Sequence, residues 1–393
     1  MPAQTDRLYL DWNATAPLRS EARAAMVAAL DLVGNASSIH AEGRAARFAV
    51  ETARTELAGL VGTPARALVF TGGGTEAANL ALTPSLRRGT EPGCDLLLIA
   101  AGEHPCVLAG HRFPTAQVRV LPLDREGRLD LEALSAALAE ALRAGSKPML
   151  ALQAANNETG VVQPVSEAAQ LVHRAGGCLV CDAVQMAGRL PLDSLVDADA
   201  LFLSAHKIGG PKGLGALAFR DESLHIHEAL VRGGGQERGQ RAGTENVAGI
   251  AGFGAAASAA RRDLGVEAVR LAALRDELET RLRELFPDLV VFSADAARLP
   301  NTSAFAVPDM AAETLLMALD LAGVAVSSGS ACSSGKVKPS HVLEAMGVPT
   351  ALAKGALRVS LGWQTRAEDI DRFCETFQKT IRNVSARRRR PAA

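Results

Sequence analysis

Short apolar runs alternate with helix-spaced stretches over about the first two-thirds of this 393-residue chain, and that alternation restricts the fold more than any other feature. Residues 67–71 (ALVFT) read as a buried strand, and a helical stretch begins near Thr75. Residues 95–100 and 118–121 are expected to be strands. From 130 to 144, Leu131, Leu134, Leu138 and Leu142 recur at helical spacing and are expected on one face. A strand at 149–153, a helix at 165–175 and strands at 178–181, 200–204 and 215–219 complete the series. Strands divided by helices are joined by crossovers. The expected fold is therefore α/β, a large domain with a mostly parallel sheet covered by helices on both faces.

The pattern then changes. Residues 245–285 read as one long helix with Leu271, Leu274, Leu278 and Leu282 in register. A smaller region follows, with strands at 303–307, 325–327 and 356–361 and helices at 313–321 and 367–381. A division inside the long helix, near Gly265, gives a large domain over 16–262 and a smaller α+β domain over 263–393, with residues 1–15 joining them. Aromatics make up only 4% of the chain and Tyr9 is its single tyrosine, so the core must be built of Ala, Leu and Val, which suits helices packed on a sheet.

Several classes of protein are excluded by composition. Hydrophobic residues at 48% and charged residues at 22% argue against wholesale disorder. Lys plus Arg is 42 and Asp plus Glu is 43, so the net charge of -1 lacks the basic excess of a nucleic-acid binder, and no direct nucleic-acid contact is expected. The arginine run at 387–390 reads as a solvated end. The six cysteines are scattered and do not form a compact disulfide framework. No basic stretch followed by an apolar one opens the chain, so no signal peptide is expected. The longest apolar runs, such as 96–101, are far too short to span a bilayer. A reducing, cytoplasmic setting without a membrane partner is expected.

Five segments carry residues suited to chemistry. TGGGTE at 71–76 lies between an expected strand and an expected helix, where glycines admit a ligand and the helix N-terminus offers N–H groups to a phosphate. Its spacing matches neither a Walker loop nor a dinucleotide fingerprint, and glycine runs are most often plain turns. Lys207, in SAHKIGGPKG at 204–213, follows a strand and could bond an aldehyde cofactor, although most loop lysines are merely solvated. Ligands bind at the carboxyl ends of parallel strands, which favours the functional use. Asp182, also at a strand end, could hold a protonated ring nitrogen or simply cap a helix. His104, in the EHP sequence at 103–105, could stack on a flat ring and move protons, or have no task. Cys332 sits in SSGSACSSG at 327–335, a run of small residues that is expected to be mobile and to expose its thiol, whereas most free cysteines are buried and inert. Cys178 and Cys181 form a lone C-x-x-C whose side chains would point to opposite faces of a strand, so they read as core. His225 and His227 lack an obvious third ligand, no metal is expected, and His341 reads as part of a small-domain helix without a catalytic role.

With these segments in this order, the chain resembles the cysteine desulfurases of the NifS/IscS type, which are fold-type I pyridoxal-phosphate enzymes within the class V aminotransferases. The likeness runs from YLDWNAT at 9–15 to RVSLG at 358–362. It is most specific at HKIGGPKG (206–213), RGGGQERGQRAGTEN (232–246) and SSGSACSSG, the last being the loop form of the first of the two desulfurase groups. The resemblance implies that Lys207 bonds the pyridoxal phosphate and then shuttles the substrate Cα proton. It implies that Asp182 binds the pyridine nitrogen, that Gln185 meets the phenolic oxygen, and that His104 stacks on the ring and serves in acid–base steps. Thr75, Ser204 and His206 would hold the phosphate with N–H groups of the Gly74–Thr75 turn. Thr244 would reach the phosphate of the neighbouring subunit, so a homodimer is implied. Asn157, beside the cofactor, and Arg358 would bind the substrate carboxylate, and Cys332 would be the nucleophile.

The reaction so implied removes sulfur from L-cysteine, leaves L-alanine and a persulfide on Cys332, and supplies a sulfur-acceptor protein, either an iron–sulfur scaffold or a sulfur relay. The 16–262 domain would be the one that binds the cofactor. Trp12 stands where smaller or polar residues are common in the family, and Ala16 where threonine is frequent. The chain stops soon after its last expected helix, without the longer tail by which housekeeping desulfurases dock an iron–sulfur scaffold, so the resemblance leaves the acceptor open. Two other readings compete. One is a different pyridoxal-phosphate reaction on the same scaffold, transamination or selenocysteine cleavage; the cysteine loop argues against transamination. The other is a non-catalytic sulfur-transfer or scaffold protein without cofactor, against which the intact cofactor segments argue.

Overall fold

A computed structural model describes residues 7–328 and 339–388, and for 387 and 388 the backbone alone. Cys332 and most of its loop, together with Arg389 and Arg390, lie outside the described residues. The chain opens with two helices, α1 (Ser20–Leu30) and α2 (Ala41–Val61). It then builds the main sheet from β1 (Leu68–Thr71), β2 (Leu96–Ala100), β3 (Val118–Leu121), β4 (Pro148–Gln153), β5 (Cys178–Asp182), β6 (Ala200–Ser204) and β7 (Gly215–Phe219). Their spatial order is β1-β7-β6-β5-β4-β2-β3. Only β7 runs against its neighbours; the other pairs are parallel.

The apolar runs alternate faithfully between two cores. Leu68, Phe70, Leu98, Leu150, Leu152, Leu179 and Leu201 face one side of the sheet, and Val69, Leu97, Ile99, Met149, Val180 and Phe202 face the other. That is the period-two placement of a sheet buried on both faces. Cys181 and Cys178 fall on opposite sides. The second face is covered by α3 (Gly74–Ala81). The first is covered by α2, α4 (Leu131–Ala144), α5 (Val165–Arg174) and the first half of α6 (Val247–Leu285). Leu142 departs from expectation, being exposed, while the buried stripe of α4 is Leu134, Ala137, Leu138 and Ala141. At ~100° per residue Leu142 stands about 80° round the helix from Leu134, at the margin of the stripe, and the alanines complete its other side.

The remaining strands, β8 (Val290–Val291), β9 (Thr302–Ala306), β10 (Ser327–Ser328) and β11 (Leu357–Ser360), form an antiparallel sheet in the order β8-β9-β11-β10. The expected strand at 325–327 is split at Val326 into β10 and Val324–Ala325, and the latter pairs with Leu8–Tyr9. Helices α7 (Ala312–Leu321) and α9 (Ala367–Arg388) and the second half of α6 pack on this sheet through Leu271, Leu278, Leu315, Phe305, Phe373 and Phe377. Leu8 and Leu10 join the same core. The N-terminal segment then runs from the small sheet, where Asp11 bridges Ser360, to the main one, where Ala16 N–H meets the His206 carbonyl at 2.9 Å. Trp12 is buried on this path and meets Trp363 edge-on at 4.7 Å, so the larger residue there fills the joint between the two cores.

Candidate active site

Gln153, Asp182 and Ser204 are the last residues of β4, β5 and β6, so three parallel strands deliver polar side chains to one edge of the sheet. A cavity of about 760 Å³ opens there. The N-terminus of α3, with Gly74 and Thr75, forms one wall; His104, Asn157 and Arg358 stand on others, and Lys207, His206 and Gln185 complete the lining. The fold thus brings together Gly74, Thr75, His104, Asn157, Asp182, Gln185, Ser204, His206, Lys207 and Arg358. Thr244 is exposed and does not line this cavity.

Burial sets the protonation of the site. Lys207 Nζ lies 2.6 Å from the Asn13 carbonyl and 2.9 Å from that of Ala14. Desolvation, followed by the Arg189 and Arg358 charges, pulls its pKa down to about 7. Asp182 is raised to about 6 by burial, against the opposing pull of the Val184 N–H and the Lys207 charge. His206 is lowered to about 4 by desolvation and by Lys207, and its Nδ1 lies 3.1 Å from Thr15 Oγ1. His104 is also held at about 4, by loss of water at the cavity wall and then by the Lys207 and His341 charges. Its Nδ1 accepts from Cys106 N–H at 3.2 Å, which leaves the proton of the neutral ring on Nε2.

The residue types and shape fit pyridoxal phosphate. The first N–H groups of α3 have no acceptor within the helix, which makes its N-terminus an anion site. Close approach keeps that site open. A Cβ on Gly74 would stand 3.2 Å from Ser204 Cβ, and one on Gly215 would strike the Gly73 carbonyl carbon at 2.4 Å. Beyond this pole lie a carboxylate, for a ring nitrogen, and a weakly basic lysine, for an aldehyde. Arg358 suits a carboxylate ligand: its Nε–H is buried without a hydrogen-bond partner among the described residues, while Nη1 and Nη2 are anchored on the Asn157 carbonyl at 2.8 Å and on Asp11 at 2.7 Å.

Sequence reasoning missed the residues that hold these groups in place. Gln185 Nε2 donates to the Asn13 carbonyl at 3.1 Å, and its Oε1 accepts from Arg189 at 2.8 Å. Asn13 donates in turn to Thr302 Oγ1 at 2.9 Å. Arg189 is buried and lies close enough to Lys207 to lower its pKa. His341, set aside as part of a helix, donates from Nε2 to the Glu103 carbonyl at 2.9 Å, one residue from His104.

Known proteins share this arrangement of chain. Residues 8–373 match the aminotransferase class-V family. The sequence is 42% identical over 388 residues to a cysteine desulfurase of Cereibacter sphaeroides, with 97% of each chain covered. It is 38% identical over 382 residues to the cysteine desulfurase IscS of Dictyoglomus turgidum (strain DSM 6724 / Z-1310), covering 96% of this chain and 95% of that one. Among solved structures, a NifS-like protein from Rickettsia africae ESF-5 is similar with a TM-score of 0.85 and 32% identity, covering 96% of this chain and 99% of that one. SspA, solved in complex with cysteine, is similar with a TM-score of 0.72 and 29% identity over 90% of this chain and 98% of that one.

Proposed function

The chain belongs to the aminotransferase class-V family and within it is a pyridoxal-phosphate-dependent cysteine desulfurase of the NifS/IscS kind, and from that premise we propose how its residues divide the work. The observation that carries the assignment is the pairing, in one cavity at the strand ends, of a lysine made weakly basic by burial with a buried aspartate. The N-terminus of α3 at Gly74 and Thr75, with Ser204 and His206, would hold the phosphate of the cofactor. Asp182 would hold the pyridine nitrogen, Gln185 the phenolic oxygen, and His104 would contact the ring. When bound, pyridoxal phosphate draws electrons from the substrate Cα and so makes its proton removable.

Lys207 moves that proton. A neutral amine has two N–H bonds, and the Asn13 and Ala14 carbonyls accept both, which leaves the lone pair free to act as base. His104 exchanges a proton through Nε2, because Nδ1 is taken by Cys106 N–H. Asn157 and Arg358 orient the L-cysteine carboxylate. The Cys332 thiolate attacks the substrate sulfur. The Cβ–S bond breaks with its electron pair left on carbon, which takes up a proton, and an S–S bond forms. L-cysteine and one thiol thus become L-alanine and one persulfide, and the persulfide passes its outer sulfur to an acceptor protein, an iron–sulfur scaffold or a sulfur relay.

We place the enzyme in the cytoplasm; no helix among the described residues is long and apolar enough to cross a membrane. We also assign it a homodimeric state in which Thr244 completes the partner's phosphate site. Its exposed position outside its own cavity supports that reading. The test is a visible spectrum of the purified enzyme, then an L-cysteine titration with alanine and sulfide assayed. Lys207→Ala is expected to lose the lysine-bound cofactor band. Cys332→Ala should keep the band and lose sulfide release by ~100-fold or more, as removal of a nucleophile demands. Full sulfide release by Cys332→Ala would overturn the nucleophile, and an unchanged band in Lys207→Ala would overturn the lysine.

A further inference from the structure

The short helix α8 (His341–Ala345) is fastened at its N-terminus to both walls of the site. Its N-cap, Ser340, accepts from Leu343 N–H at 3.1 Å and donates its hydroxyl proton to Glu158 Oε2. His341 Nε2 donates to the Glu103 carbonyl at 2.9 Å. Glu103 precedes His104 in sequence, and Glu158 follows Asn157. Asn156 ties the two walls to each other: its Nδ2 donates to the Gly102 carbonyl at 3.1 Å, and its Oδ1 accepts from Glu158 and Thr159 N–H at 2.8 and 2.9 Å. A helix cap needs only the serine hydroxyl. Placing a buried carboxyl against that hydroxyl is costly and adds nothing to the helix itself. The location supplies the reason. Position 340 lies eight residues beyond Cys332, and on the near side of that cysteine Ser327 and Ser328 are registered against Arg358 and Leu357.

We propose that Ser340 and His341 are positioning residues for sulfur transfer: by binding Glu158 and Glu103 they fix the chain downstream of Cys332 in register with the site that holds the substrate. The inference rests on the reading of Cys332 as nucleophile. It separates two halves of the reaction, because removal of the Cα proton by Lys207 does not need Cys332 in place, whereas attack on the substrate sulfur does.

The test uses holoenzyme and L-cysteine in deuterated water. Deuterium entering Cα of the recovered cysteine reports proton removal, and mass spectrometry of Cys332 reports persulfide. Ser340→Ala and His341→Ala are expected to slow persulfide formation about tenfold or more, as small misplacements of reacting groups do. Deuterium entry should stay within about twofold of the parent. Ser340→Thr and His341→Gln, which keep a donor, should restore persulfide formation. Backbone hydrogen exchange over 339–347 in the resting enzyme should quicken in both alanine variants. Equal losses in both half-reactions would reduce the two residues to supports of the fold and overturn the proposal, as would persulfide formation at the parental rate or unchanged exchange over 339–347. A parent enzyme that forms no persulfide on Cys332 would overturn the nucleophile assignment and this inference with it, and that failure is visible before any variant is made.

Discussion

At the scale of the residue, Lys207 shows how surroundings set reactivity. An amine with its ordinary pKa near 10.5 would be almost wholly charged at neutral pH and unable to bond an aldehyde. Burial and the Arg189 and Arg358 charges bring it to about 7, so much of it is neutral near neutral pH. The sign follows directly: the neutral form grows as pH rises through the lowered pKa. Uptake of pyridoxal phosphate by apoenzyme, followed by its absorbance, should therefore accelerate between about pH 6 and 8 and level off above, with an apparent pKa near 7. Arg189→Gln should move that midpoint upward, since one of the charges opposing protonation is gone. A rate still climbing steeply above pH 9 would mean that Lys207 keeps its ordinary basicity.

At the scale of the element, close packing decides which residues are tolerated. Helix α6 carries Gly254, where a Cβ would come within 2.4 Å of Ala53 Cα on α2, and Gly265, where a Cβ would meet nothing within 4 Å. The same change should have opposite signs at the two positions. Gly265→Ala should stabilise by up to about 1 kcal/mol through helix propensity. Gly254→Ala should destabilise by about 1–3 kcal/mol, because backbone must move aside. Urea unfolding of both variants checks this, and two shifts of the same sign would refute the packing argument. This contact also explains what the sequence concealed. The strands β1 to β7 were legible because their apolar runs are short, continuous and bounded by turns. Helices α1 and α2 were not, because α1 is largely alanine among polar residues and α2 mixes three arginines and three glutamates into its length. Of the residues that line the cavity, the Gly74–Thr75 segment, Asp182, Lys207 and His104 were legible as polar groups and glycines after strands, and Gln185, Asn157 and Arg358 only through the family resemblance. Their supports were not: Asn13 to Gln185 and Ser340 to Glu158 join residues 172 and 182 positions apart, a separation no local pattern records. The proposed division at 262/263 falls on α6 between Ala260, in the core of the main sheet, and Leu271, in that of the small one.

At the scale of the whole molecule, the proposed homodimer bears on an exposed apolar surface and on the role proposed for Thr244. Leu30, Val33, Ile39 and Phe48, on and between α1 and α2, are exposed at 72%, 89%, 89% and 75%, a cluster in sequence that a soluble monomer would ordinarily cover. Thr244 carries the phosphate-binding assignment and yet stands outside its own cavity. A homodimer that buries the α1–α2 surface and passes Thr244 to the partner's phosphate accounts for both, and a net charge of -1 offers little self-repulsion against it. The two parts can be separated experimentally. Ile39→Glu with Phe48→Glu places charge on the proposed contact and should shift the protein from dimer to monomer in light scattering. The monomer should bind pyridoxal phosphate about tenfold or more weakly, since each lost hydrogen bond to a charged group weakens binding by ~1.5–3 kcal/mol. Thr244→Ala should reproduce the weaker binding while remaining dimeric. A monomer that keeps full cofactor affinity would remove Thr244 from the phosphate site. A double variant that stays dimeric would move the interface away from α1 and α2, while leaving the Thr244 assignment to be decided by its own alanine variant.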